Sequence, residues 1–209
     1  MTSKTRLILA RHAEPARWTR GRCIGRTDAG LSREGVRQAR SLAVWLRAAD
    51  IDAVVSSPAI RALRTAHPIC EAASVPEDVD ADLREIDFGA FDGLRFTTIA
   101  REQPDVYSRW MASPTTAVFP DGESWDDLRG RARSAFRRIT ATHEGRTTVV
   151  VTHIGVILAI LADVLATADD RVFGFTIGHA RVCVVDAEDT PLVRAVDLGG
   201  PLEPLRNLK

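Results

Sequence analysis

The amino-acid sequence predicts an α/β protein, a three-layer sandwich built on a mostly parallel central sheet. Short β-rich runs that do not alternate, Arg6 to Ala10, Ala53 to Ser56 and Thr148 to Thr152, each stop abruptly in charged or polar residues, the habit of strands buried on both faces. A helix signal follows each run, and strand, turn and helix repeated in this way form right-handed crossovers with helices on both faces. At 209 residues with 45% hydrophobic content, the chain reads as a single domain, residues 1–209, with enough apolar material for a sizeable core.

After the first run, Ser32 caps a helix to about Ala48, in which Val36, Ala39, Leu42, Ala43 and Leu46 recur at helical spacing. After the second, Ser57 reads as an N-cap with Pro58 at the first helical position, opening a helix to about Glu71. After the third, Gly155 to Leu165 is almost wholly apolar and predicts a buried helix. Thr97 to Met111, broken at Pro104, and Glu123 to His143 also read as helices. Residues 90–145 are therefore expected to form a short helical insertion over the active site, at the carboxyl edge of the sheet. Arg181 to Val185 and Leu192 to Val196 predict a terminal hairpin.

Composition narrows the function. Lys plus Arg equals Asp plus Glu at 28 each, so the chain lacks the positive field that supports nucleic-acid or anionic-membrane binding, and a small ligand is expected. The cations are arginine throughout except Lys4 and Lys209. Cys23, Cys70 and Cys183 show no metal-type spacing, so no metal and no cofactor is expected. The longest apolar stretch, Val156 to Ala162, falls far short of the roughly 20 residues of a membrane span, and the N-terminus has no signal-peptide core; a cytoplasmic location is the expectation. Nothing in the pattern speaks to oligomeric state.

Ligands of such sheets bind at the carboxyl ends of the strands. Arg11 and His12 follow the first run, Arg61 lies one turn into the helix after the second, and His153 follows the third. Two guanidinium forks and two histidines on one edge describe a phosphoryl site, reinforced by helix N-termini. A carboxylate is expected from Leu83-Arg84-Glu85-Ile86-Asp87-Phe88-Gly89, where Glu85 stands among apolar residues that would favour a protonated general acid. Asp82, Asp87 and Asp92 are alternatives for that role. A neutral histidine in a cationic cluster is a nucleophile towards phosphorus, which predicts phosphomonoester cleavage through a phosphohistidine.

Leu9-Ala10-Arg11-His12-Ala13-Glu14 resembles the Arg-His-Gly signature of the histidine phosphatase superfamily, the phosphoglycerate mutase-like proteins. Asp28 to Gly35, Ser56 to Ala62, Leu83 to Gly89 and Val151 to Ile157 resemble its further segments in order, and Phe119-Pro120-Asp121-Gly122-Glu123-Ser124 resembles a segment of its phosphatase members. The resemblance implies that His12 becomes phosphorylated, that Arg11, Arg61 and His153 bind the phosphoryl oxygens, and that Glu85 protonates the leaving alcohol and then activates water. It implies a metal-independent hydrolysis of a small phosphorylated substrate.

The sequence departs from the family pattern at Ala13, Pro15, Trp18, Ile24 and Ile154, which puts the natural substrate beyond reach by resemblance. Glu14 either contacts substrate or caps its loop, and Arg22 and Arg26 lie in a loop expected to rim the pocket. His67, His143 and His179 fall in no pattern. The alternatives to a phosphatase are a cofactor-dependent phosphoglycerate mutase and a non-catalytic phospholigand-binding protein. The short stretch between Glu85 and His153 disfavours the mutase, and the presence of all five site residues disfavours the binding protein.

Overall fold

Residues on one strand face both ways into apolar surroundings, and this explains the unalternated runs. In β1 (Arg6–Arg11), Leu7 and Leu9 join one core while Ile8 and Ala10 join another. The computed structural model describes residues 4–199. Along the chain follow α1 (Arg33–Leu46), β2 (Ala53–Ser56), α2 (Ile60–Ala73), β3 (Glu77–Val79), α3 (Phe96–Glu102) and α4 (Pro104–Ala112). Then come α5 (Trp125–Thr142), β4 (Thr147–Thr152), α6 (Ile154–Val164), α7 (Asp169–Val172), β5 (Val182–Asp186) and β6 (Leu192–Leu198).

The sheet runs β3-β2-β4-β1-β5-β6, parallel from β3 to β1 and antiparallel at β5 and β6. Helices α1 and α2 cover one face and α5 and α6 the other, giving the expected three layers. Each fully buried Leu or Ile at these faces contributes about 1.5–3 kcal/mol of transfer free energy. Because α1 leaves β1 towards one face and α6 leaves the neighbouring β4 towards the other, a crevice opens between the two strand ends, the place where sheets of this kind bind ligands.

Several local expectations change. Helix α2 starts at Ile60, not at Pro58 after a Ser57 cap, because the Ile60 N–H is capped from another loop by Asp28 Oδ1 at 2.8 Å and the Ser57 hydroxyl is turned to His153 Nε2 at 2.8 Å. The edge strand β3 was hidden by its charge, since Glu77 and Asp78 mask any strand pattern. The stretch over 90–145 divides. Helices α3 and α4 break at Pro104 as expected and share an aromatic core with Phe91 and Phe119, whereas α5 belongs to the sandwich. Trp125, Leu128, Ala132, Ala135 and Ile139 of α5 pack into the same core as α6, so this amphipathic helix forms a layer of the fold. Ser124 and Asp127 close its N-terminus as a capping box.

Candidate active site

The sheet ladder itself delivers the histidines. His12 N–H extends the β1–β4 pairing by one step, donating to Thr152 O at 2.9 Å, so His12 and His153 leave neighbouring strands at the same height. Their ring centroids are 5.1 Å apart. Ser57 N–H donates to Val151 O at 2.9 Å, tying the end of β2 to the same point. The Thr152 hydroxyl donates to Leu83 O at 2.7 Å and draws in the loop that carries Glu85.

Both histidines are buried, and both are held neutral. Burial, then Arg61, pushes the His12 pKa well below the usual 6.5, and burial with Arg61 and His12 does the same for His153. A neutral His12 donates its Nδ1–H to Ala13 O at 2.8 Å, which leaves the lone pair on Nε2. His153 Nε2 lies 2.8 Å from the Ser57 hydroxyl, while its buried Nδ1 has no protein partner among the described residues. When Ser57 donates to Nε2, the Nδ1 carries the proton and is a donor aimed away from the protein's own acceptors.

Arg61 is 1% exposed, an extreme for a guanidinium, and its cost is met by backbone carbonyls. Its Nη2 donates to Ile24 O and Gly25 O at 3.2 and 3.1 Å, and its Nη1 to Thr27 O at 3.3 Å. That loop is itself held by Asp92, which accepts from Gly25 N–H at 2.6 Å and from Thr27 N–H at 2.5 Å. Arg11 Nη1 donates to Ile177 O at 2.5 Å, and its buried Nε has no protein partner among the described residues. Burial lowers the pKa of both guanidinium groups, and the charge of Glu85 opposes this in each.

Glu85 is buried, as expected, but its surroundings are polar and cationic rather than apolar. Its Oε1 accepts from Ile86 N–H at 3.0 Å, its Oε2 accepts from Gly155 N–H at 3.4 Å in the first turn of α6, and Arg11 and Arg61 act on it electrostatically. Arg11, His12, Arg61, Glu85 and His153 thus come together at the crevice. Asp82 and Asp92 are engaged elsewhere, with Arg138 and with the Gly25–Thr27 loop, and Asp87 pairs with Arg26.

The rim differs from expectation. Arg22 donates to Trp18 O and Gly93 O at 3.1 and 2.8 Å, fastening the loop to the insertion, and the exposed Arg26 pairs at 2.5 Å with Asp87 of the segment that carries Glu85. Glu14 caps: its Oε1 accepts from the Ser32 hydroxyl at 2.7 Å, and its carbonyl accepts from Ser32 N–H at 3.0 Å. Ala13 is buried with an unstrained backbone and donates its N–H to Thr65 Oγ1 at 3.0 Å, so glycine is not required there. His179, which fell in no pattern, stands beside His12 with centroids 5.3 Å apart. Its Nδ1–H donates to His12 O at 3.2 Å, and burial followed by Arg11 lowers its pKa to about 4. A surface depression of about 1160 Å³ lies at the opposite edge of the sheet beside Thr5, Arg137 and Pro191.

A family model described as histidine phosphatase superfamily (branch 1) matches residues 7–195. The chain is 36% identical over 201 residues to a bifunctional protein of Mycobacterium tuberculosis, covering 95% of this chain and 55% of that protein. It thus spans about half the length of the first curated relatives it matches. Phosphoserine phosphatase 1 of Hydrogenobacter thermophilus is 30% identical over 184 residues, covering 88% of this chain and 87% of that one. The solved structure of a mycobacterial glucosyl-3-phosphoglycerate phosphatase superimposes with a TM-score of 0.85 at 26% identity, covering 93% of this chain and 100% of that one. The chain belongs to the histidine phosphatase superfamily.

Proposed function

We propose that the protein is a phosphatase that hydrolyses a small phosphomonoester, without a metal ion, through a phosphohistidine on His12. The observation that carries this reading is the anchoring of His12: Nδ1 lies 2.8 Å from Ala13 O, which accepts its N–H and leaves the lone pair on Nε2, while burial with Arg61 pushes the ring's pKa down.

Nε2 of His12 attacks phosphorus, the P–O ester bond breaks, and Glu85 gives its proton to the departing alkoxide. In this reading Arg11, Arg61 and His153 bind the three non-bridging oxygens and carry the charge that builds in the transition state, and the buried Arg11 Nε and His153 Nδ1, which have no protein partner among the described residues, are donors available for it. Water then attacks the phosphohistidine as Glu85 takes its proton, and orthophosphate leaves with His12 restored. The two arginines supply the positive charge for this chemistry. The relatives named above act, by their names, on phosphoserine and on glucosyl-3-phosphoglycerate. Two such different leaving groups support a constant phosphoryl site under a variable cover, which here is the insertion with Phe88, Trp110 and Phe119.

The test is p-nitrophenyl phosphate hydrolysis by wild type and His12→Ala in excess EDTA between about pH 5 and 8. Activity that survives EDTA and disappears with His12 is expected. Activity that EDTA abolishes, or that His12→Ala retains, would overturn the reading.

A further inference from the structure

We infer that Arg131, locked in place by Glu123, is a positioning residue for Glu85. The inference rests on the reading of Glu85 as the proton donor and extends it to a residue on another element. Arg131 lies on the second turn of α5 and uses all five of its N–H donors on fixed acceptors. Nη1 donates to Asp82 O at 2.8 Å and Arg84 O at 2.5 Å; Nη2 donates to Glu85 O at 3.0 Å and Glu123 Oε2 at 2.7 Å; Nε donates to Glu123 Oε1 at 2.7 Å.

With Leu83 O bound by the Thr152 hydroxyl, four successive carbonyls, from Asp82 to Glu85, are pinned to groups outside the loop. Glu123 holds the other end. Its Oε2 also accepts from Asp87 N–H at 2.9 Å, and its own N–H donates to Asp87 O at 2.9 Å. Burial works to raise the Glu123 carboxyl pKa, but the bonds from Arg131 and Asp87 outweigh it and hold the group below its usual range.

The consequence reaches the carboxylate of Glu85. A loop clamped through its carbonyls cannot shift along α6, and Glu85 is pressed against Gly155, where a Cβ would strike its Oε1. A proton donor has to stand within hydrogen-bond reach of the leaving oxygen, so a small displacement of this loop removes proton transfer while leaving the phosphoryl contacts of Arg11, Arg61 and His153 in place. Lysine cannot substitute, because a single ammonium does not span three carbonyls and a carboxylate in the planar geometry of the guanidinium fork.

The experiment compares kcat and KM on p-nitrophenyl phosphate and on phenyl phosphate, two substrates of similar shape of which the second has the poorer leaving group. The enzymes are wild type, Glu85→Gln, Arg131→Lys, Glu123→Gln and the double variant Glu85→Gln/Arg131→Lys, each with its thermal unfolding curve. Arg131→Lys is expected to lose about tenfold or more in kcat on phenyl phosphate beyond its loss on p-nitrophenyl phosphate, with KM changed far less. In the Glu85→Gln background the same substitution adds nothing to that ratio, as coupled residues require.

If Glu85→Gln shows the leaving-group effect and folded Arg131→Lys loses equally on both substrates, the positioning role is wrong while Glu85 stands as the donor. If Glu85→Gln itself loses equally on both, the donor assignment falls, and the inference falls with it. Should Arg131→Lys fail to fold, Glu123→Gln decides by the same ratio.

Discussion

The imidazoles of His12 and His153 meet edge to face at 60°, and each is anchored through one ring nitrogen, Nδ1 in His12 by Ala13 O and Nε2 in His153 by Ser57. The anchored atoms differ, so the two rings present opposite chemistry to the crevice. With Ser57 donating to His153 Nε2, one offers a lone pair and the other a proton.

The first prediction follows from that lone pair. His12→Ala should lower kcat by at least about 10³-fold, as removal of a nucleophile does. Rapid acid-free quenching of wild type with radiolabelled substrate should trap label that is stable to alkali and lost in acid, as a phosphoramidate is. Label absent from wild type during turnover would count against a covalent intermediate.

The pH behaviour has a definite sign. His12 and His153 have pKa values well below 6.5 in the folded protein, and His179 has one of about 4, while the unfolded chain binds these protons near 6.5. The unfolded state therefore holds more protons below that pH. The stability tied to these groups is full above 6.5 and is lost as pH falls from there towards 4. Unfolding temperatures should drop across this window, and His179→Asn should make the drop shallower. In NMR, the His12 Cε1–H should show no titration between pH 8 and 6; a midpoint at 6.5 or above would refute the neutral nucleophile.

Ser57→Ala removes the partner of His153 Nε2 and leaves that nitrogen buried and unsatisfied. The expected cost is about 1–3 kcal/mol in urea unfolding. Activity should fall together with tautomer control, seen as a second population of His153 ring signals in ¹⁵N spectra. An unchanged spectrum would show that Ser57 does not set the tautomer.

Gly155→Ala places a methyl group where the Glu85 carboxylate and the Leu128 side chain already stand. It should destabilise by about 1–3 kcal/mol, the usual cost of overpacking. It should also reduce kcat more on phenyl phosphate than on p-nitrophenyl phosphate, because the displaced group is the proposed donor. A stable variant with wild-type kinetics on both would mean that Glu85 has room to move.

Much of the site was legible because the sheet turns sequence position into spatial position. Arg11 ends one parallel strand, His12 and His153 follow two of them, and the ends of adjacent parallel strands share an edge. His179 escaped the same logic because β5 is antiparallel to β1, so the residues before it, not after it, reach that edge. The expected hairpin held this information, since an antiparallel strand beside β1 must begin where β1 ends.

Arg131 carried no signal at all. It sits mid-helix, far from Glu85 in sequence, and its contacts with loop carbonyls depend on the packing of α5 against the sheet. The partners of Arg22 and Arg26 were illegible for a related reason: position in a rim loop does not reveal whether a guanidinium turns to the pocket or to neighbouring carbonyls and carboxylates.

The insertion and Cys23 of the rim loop share an apolar core, Cys23, Phe91, Ile99, Ala117 and Phe119 with Phe88 and Trp110 against them, and Ile86 is a residue that packs on both this core and the sheet's. Such separation gives the chain a modular inheritance. Mutations that reshape the aromatic cover need not disturb the strand ends that hold His12 and His153, so lineages can trade one leaving group for another while the phosphorus chemistry is passed on intact.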